Sequence, residues 1–340
     1  MRYFSDDSTY PLSDPMLDQF CLRILPEIHH RIKWLNLESS CMKQILLATN
    51  YPNLCGLGLY NIDSEKALSL FIDAYDKLIV PLLQHMSTLE KLHLNVYVYM
   101  EKIFIDGNNL KKNIIDHMAR LKNFTFNIDS FLHLRNQIDL TSTEDIKHTF
   151  RDFKNNHIIS YIDYFHNDHS SRCFIYTYPY KWKSYGYITN NFPGVLCKFV
   201  REITLYDEHP FEYEFFLRIS QSFPFLKELS VMNSKPQKNK LCRESNKDNQ
   251  DLSIIKFHYL TSVTLYSAHD DYIEQFLDDS KTFLSNNVHL NVYFESLKRV
   301  TYHFTRNTTR TNCAKLKSLF LNGYGLPKYA RDYFSHTKVL

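Results

Sequence analysis

One short apolar pattern recurs along this chain and limits what it can fold into. It reads "IKWLNLES" (32–39), "LCGLGLYN" (54–61), "LEKLHLNV" (89–96), "LKNFTFNI" (121–128), "VREITLYD" (200–207), "LKELSVMN" (226–233), "LTSVTLYS" (260–267) and "LKSLFLNG" (316–323). Each stretch offers an apolar residue, two variable ones, then apolar-x-apolar, and "NVHLNVYF" (287–294) is a looser ninth copy. The apolar-x-apolar step has the period of a strand with one buried face.

Segments with helical spacing lie between the copies. "YDKLIVPLLQHM" (75–86) sets Leu78, Leu82, Leu83 and Met86 on one face, and "LKKNIIDHM" (110–118) does so with Leu110, Ile114 and Met118. "FEYEFFLRISQSF" (211–223) and "DDYIEQFLDDSKTFL" (270–284) also predict helices. "FESLKRVTYHF" (294–304) fits either period, and is read as a helix because "VHLNVYF" already supplies that unit's strand. Strict copies start 22, 35, 32, 79, 26, 34 and 56 residues apart. A strand and a helix recurring every 20–35 residues, with L-x-x-L-x-L at the strand, is the leucine-rich-repeat signature. Each inward leucine buries about 1.5–3 kcal/mol. One unit cannot cover its own apolar face, so units stack. The expected fold is therefore an α/β leucine-rich-repeat-like solenoid over residues 28–340, a curved parallel sheet with outer helices, after an N-terminal segment 1–27.

The 79-residue gap predicts an insert over residues 129–195. Its "TSTEDIKHTFRDF" (141–153) is a helix opened by a Thr141-to-Glu144 capping box. "HIISYIDYF" (157–165) and "RCFIYTYPY" (172–180), joined by "HNDHSS", predict a hairpin near 157–180. Residues 234–250, "SKPQKNKLCRESNKDNQ", predict a flexible loop.

Composition excludes several functions. Seven glycines in 340 residues disfavour glycine-rich ligand loops. In "LCGLGLYN" the glycines fall between the inward leucines Leu54, Leu57 and Leu59, so Gly56 and Gly58 lie on the outward side of a strand. A dinucleotide fingerprint needs a third glycine and a helix opening directly after it. The glycines should instead leave a thin spot beside Tyr60. A net charge of +3, from 40 basic and 37 acidic residues, lacks the excess that nucleic-acid binding leaves. No apolar run reaches membrane-spanning length. Seven scattered cysteines, and a start without an apolar signal core, predict free thiols in an intracellular protein, cytoplasmic or nuclear.

No nucleophile or zinc signature appears, and the expectation is a non-enzymatic protein without cofactor. His166, Asp168 and His169 beside Asp163 (163–169) have metal-ligand chemistry, but they sit in a predicted hairpin tip with no partner pair elsewhere, and a solvated polar turn is much the better reading. The outward strand positions are the better candidates. One set reads Asn36, Gly58, His93, Thr125, Thr204, Ser230, Thr264 and Phe320; the next reads Glu38, Tyr60, Asn95, Asn127, Tyr206, Met232, Tyr266 and Asn322. Tyr60, Asn95, Asn127, Tyr206 and Tyr266 from the second set, with Trp34 at one end, are the candidate partner-binding residues on the concave face, since aromatic side chains anchor protein interfaces. The competing reading is that Thr and Tyr simply suit exposed strands.

"LPEIHHRIKWLNLESSCMKQILLATNYPNLCGLGLYNI", "FPGVLCKFVREITLYDEHPFEYEFFLRISQSFPFL" and "NCAKLKSLFL" resemble a large, lineage-expanded invertebrate group of F-box proteins with leucine-rich-like repeats. The resemblance covers roughly residues 20–340. It implies a substrate-recognition subunit whose repeats hold a protein substrate and whose N-terminal F-box docks to the adaptor of a cullin-type ubiquitin ligase. Here only about twenty residues precede "LPEIHHRI", so 1–27 reads as an F-box remnant. The joint between 64–71 and 72–80 reads as shortened. The alternative is a truncated paralogue serving as a general binding scaffold without a ligase role.

Overall fold

The computed structural model describes residues 14–62, 79–84, 86–100, 103–134, 141–153, 157–238, 253–322, 325–334 and 337–340. The chain divides into two compact units, residues 1–164 with 168–178, and residues 165–167 with 179–340. Both are mixed α/β.

The first unit opens with helical turns over residues 14–31, followed by strands β1 (Trp34–Glu38), β2 (Gly56–Ile62), β3 (Lys91–Met100) and β4 (Asn123–His133). These four pair in parallel and in chain order, with Leu35, Leu57, Leu92 and Phe124 in register. Alternation does the work the sequence assigns to it. Leu92, Leu94, Val96 and Val98 of β3 are buried in one apolar core with Leu57, Leu59, Phe126 and Ile128, while the intervening β3 residues are half-exposed or exposed. Leu110, Ile114 and Met118 enter the same core as expected. Only Leu110 of the three lies in the α-helix, Gly107–Asn113, which ends before Ile114; a short 3-10 turn, Ile115–His117, carries the chain on to Met118, and the helix is opened by a capping box between Asp106 and Asn109. Gly107 lets this helix approach its neighbour closely, because a Cβ there would lie 2.2 Å from the Thr149 carbonyl oxygen.

The hairpin forms as β5 (His157–Phe165) and β6 (Ser170–Tyr178), and it belongs to the sheet. β6 pairs antiparallel with β4 from Asn127↔Tyr176 to His133↔Ser170, giving the order β1-β2-β3-β4-β6-β5. β4 thus runs through residue 129, where the insert was expected to begin. The helix Thr143–Thr149 is capped one residue later than expected, by Ser142 with Asp145.

In the second unit β7 (Ser184–Ile188), β8 (Glu202–Tyr206), β9 (Glu228–Asn233), β11 (Ser262–Ala268), β13 (Val288–Asn291), β14 (Leu316–Phe320) and β15 (Lys338–Val339) form one all-parallel sheet in chain order. Among the described residues two further strands, β10 (Ile255–Phe257) and β12 (Thr282–Leu284), pair only with each other. β12 corrects the expectation of one helix over 270–284: the helix is Asp270–Leu277, the chain turns at Asp278, and Thr282–Leu284 is extended. The helix Tyr213–Ser222 forms where predicted, whereas the helix expected over 294–304 ends at Val300 and Tyr302–Phe304 leave it with left-handed backbones. Phe215, Phe216, Ile219, Tyr272 and Phe276 fill an aromatic core.

All nine copies of the apolar pattern therefore supply a strand. Residues 63–78, including Leu78, and 239–252 lie outside the described residues, as do the side chains of Leu82 and Tyr60. The described start of the expected flexible loop is tied down: the Gln237 amide N–H donates to Asp271, and its side chain donates to the Phe211 carbonyl, both at 2.9 Å. Among the described residues no helix is long and apolar enough to cross a membrane.

Candidate interaction surface

In the first unit the outward face of the sheet is covered step by step. Trp34 begins it. Its ring lies over Gly56, where an added Cβ would come within 1.8 Å of the indole, and it packs 5.4 Å from the His93 ring. The indole N–H donates to Asn36 at 2.8 Å. The thin spot expected at the glycines is thus occupied at Gly56 by the chain's own tryptophan. His93 hydrogen-bonds Thr125, and Asn127 donates to Asn95 at 2.9 Å. Asn127 is only 7% exposed, so it holds Asn95 and is not itself offered to a partner. Tyr97, Tyr99 and Phe131 continue the face as a ring cluster with centroids 4.9–5.8 Å apart.

Next to these rings the face closes. Arg172 on β6 is fully buried and grips Asp129 on β4 through two bonds of 2.6 and 2.7 Å. Its guanidinium also lies over the Phe131 and Phe174 rings, at 5.5 and 5.1 Å. Burial opposes the charge on both partners. The Asp129 carboxyl is pushed up despite Arg172, and Arg172, facing Asp129, is held charged. His166 and His169 fall in the turn between β5 and β6, and among the described residues no three His, Cys, Asp or Glu side chains converge as metal ligands.

The outward face of the second sheet is more open. Tyr206 lies in register with Met232, and Met232 with Ser267. The register slips between Thr264 and Ser267, so Tyr266 sits at a local irregularity. Tyr266 stacks on Tyr293 with centroids 3.9 Å apart and accepts a 3.0 Å bond from the Asn322 amide. Met232, Tyr293 and Phe320 are 38%, 41% and 43% exposed. Tyr206 is half-buried, 6.0 Å from the Tyr187 ring and 5.3 Å from Phe165.

Of the six candidates, the first unit places Trp34, Asn95 and Asn127 on one sheet face. Tyr60 continues β2 opposite Glu38. The second unit holds Tyr206 and Tyr266. Tyr293 was missed, although "LNVY" aligns with the "ITLY" and "VTLY" that end in Tyr206 and Tyr266. Tyr206, Met232, Tyr266, Tyr293 and Asn322 are all the residue following apolar-x-apolar in successive copies; the first three lie on β8, β9 and β11, and Tyr293 and Asn322 lie just past the ends of β13 and β14.

All six described cysteines are free thiols, and burial pushes Cys197 up to about 12. Compared with protein-family models, curated proteins and solved structures, the chain matches none.

Proposed function

We propose that the chain is a non-enzymatic, leucine-rich-repeat-like solenoid that binds another protein through the outward sheet face of its second unit. The observation that carries this is the row Tyr206, Met232, Tyr266, Tyr293 and Asn322. Equivalent positions of successive pattern copies present neighbouring side chains, three of them aromatic, with Met232 and Tyr293 open to solvent. Exposed aromatic and methionine side chains on a firm sheet give large contact area at low ordering cost. Strand pairing in chain order supports the stacked-repeat reading.

The test compares affinity-purified partners of the wild-type chain with those of Met232→Asp/Tyr293→Asp. Specific partners should disappear while the circular dichroism and melting temperature remain those of the wild type. An unchanged partner list rejects this face.

A role as substrate receptor related to F-box proteins rests on the resemblance over residues 20–340. It is supported by Met16, Leu22 and Ile24, which the N-terminal helical segment leaves exposed as apolar surface that an adaptor would cover. Recovery of neither adaptor nor cullin in those purifications removes the ligase role and leaves the binding module intact.

A further inference from the structure

A recess lies on the helical side of the second unit, between the helix Tyr213–Ser222 and β10. Its volume is about 560 Å³, within the range of sites that enclose a ligand group. Leu217, Phe223 and Ile254 line it, and Gln221, Lys256 and His258 stand at its rim. Among the described residues its lining carries two basic side chains and no acidic one. The Tyr213 hydroxyl bonds the Ser253 carbonyl and fixes the helix to the start of β10.

Among the described residues β10 pairs with β12 alone and its other edge carries no strand; the Ile255 amide donates to Lys281 at 3.0 Å, so Ile255 and Phe257 turn their peptide groups toward β12. By the alternation of a strand, the N–H and C=O of Lys256 point the other way. Ser253, Ile254, Lys256, Phe257 and His258 line the recess together with the helix, which puts that edge beside it. Past the rim, exposed Phe225 and Tyr259 pack with centroids 5.4 Å apart, and the Arg201 guanidinium lies over Phe225 at 5.3 Å.

We infer that this recess binds an extended acidic peptide segment of a partner protein, with one large apolar side chain as its anchor. The peptide main chain pairs with Lys256 at the open edge, the anchor enters between Leu217, Phe223 and Ile254, and flanking carboxylates face Lys256, His258 and Arg201. Strand addition supplies affinity that is independent of peptide sequence, while the recess and basic rim select the side chains. This site is separate from the sheet-face row and stands without it.

The probe is a fluorescein-labelled, capped heptapeptide, Asp-Asp-Glu-Phe-Glu-Asp-Asp, titrated with the full chain by fluorescence polarisation. Saturable binding is expected. It should weaken at least about tenfold with Ser220→Trp, which fills the recess, and with Lys256→Glu/His258→Glu, which reverses an exposed rim and spares the core. Met232→Asp/Tyr293→Asp should leave it unchanged. The proposal is overturned by no saturable binding, by equal binding of the heptapeptide with Lys at every acidic position, or by wild-type affinity in both recess variants. It is also overturned if the chain self-associates and Ser220→Trp abolishes that, since the occupant is then a second copy.

Discussion

The indole of Trp34 fills the space that a side chain at Gly56 would need. Glycine normally weakens a strand, and here an aromatic ring from the neighbouring strand covers the bare backbone. Gly56→Ala should therefore expel the ring and cost about 1–3 kcal/mol, as overpacking does. In a Trp34→Ala background the same substitution should be neutral or mildly stabilising, because the clash is gone and alanine suits a strand better. Urea titrations of the four proteins close this double-mutant cycle. Additive costs would show that the ring and the glycine do not interact. With Trp182→Phe removing the other tryptophan, Gly56→Ala should also red-shift the emission.

Asp129 and Arg172 hold the register of β6 on β4 from inside a buried layer. Arg172→Met leaves the Asp129 carboxyl without its cation and should cost about 3–5 kcal/mol. Asp129→Leu/Arg172→Met removes both charges and should recover part of that loss. Recovery is incomplete because Asp163, also buried, acts on the same guanidinium. Hydrogen exchange at Ile128 and Ile175 reads the effect locally: both amides should exchange faster in the single variant than in the double. A single variant as stable as the wild type would mean that the pair contributes nothing to the hairpin's attachment.

The strands were legible because burial demands period two, and pairs such as Leu57 and Leu59 carry that period whatever their neighbours. The Asp129–Arg172 pair was not legible. The two lie 43 residues apart and meet only because β6 folds back on β4, which no local pattern encodes. The cap was misplaced by one because "TSTED" satisfies the capping spacing twice, at Thr141–Glu144 and Ser142–Asp145. The helix from Asp270 was overextended because Phe276, Leu277, Phe283 and Leu284 keep helical spacing across a turn at Asp278. Of the candidate surface, Tyr266 was found by its place after apolar-x-apolar, while Tyr293 was lost with the looser copy. Asn127 has the right position and the wrong exposure, which depends on what packs over the sheet.

Tyr302, His303 and Phe304 hold three consecutive left-handed backbones, with φ of 48°, 58° and 66°. Each costs roughly 1–2 kcal/mol for a residue with a Cβ. Phe304 compensates by burying its ring against Tyr333 and Phe334, and Thr301 caps the turn through the Phe304 amide at 3.2 Å. His303 is exposed and has no such compensation through burial. His303→Gly should therefore stabilise the chain by up to about 1 kcal/mol, whereas His303→Val should destabilise it by at least as much. Thermal melts decide it, and a lower melting temperature for the glycine variant would contradict the strain.

Glu274 should give the second unit an acid-sensitive step. Burial alone would raise its pKa, but hydrogen bonds from Arg306 and Lys281 override it and bring it from 4.5 down to about 2. Lys281 stands 2.7 Å from the carboxylate and Arg306 3.3 Å, and Arg306 also reaches Asp278 at 2.9 Å. A folded-state pKa below the unfolded one stabilises the fold at pH above about 4.5, and that contribution is lost as pH falls toward 2. Partial exposure screens the carboxylate, so the contribution is on the order of 1–2 kcal/mol, less than the full shift implies. Glu274→Gln should cost that amount near pH 7 and almost nothing near pH 2, making the acid side of the stability profile shallower. Urea titrations of wild type and variant between pH 2 and 7 measure it, and parallel profiles would show that Glu274 is not the titrating group.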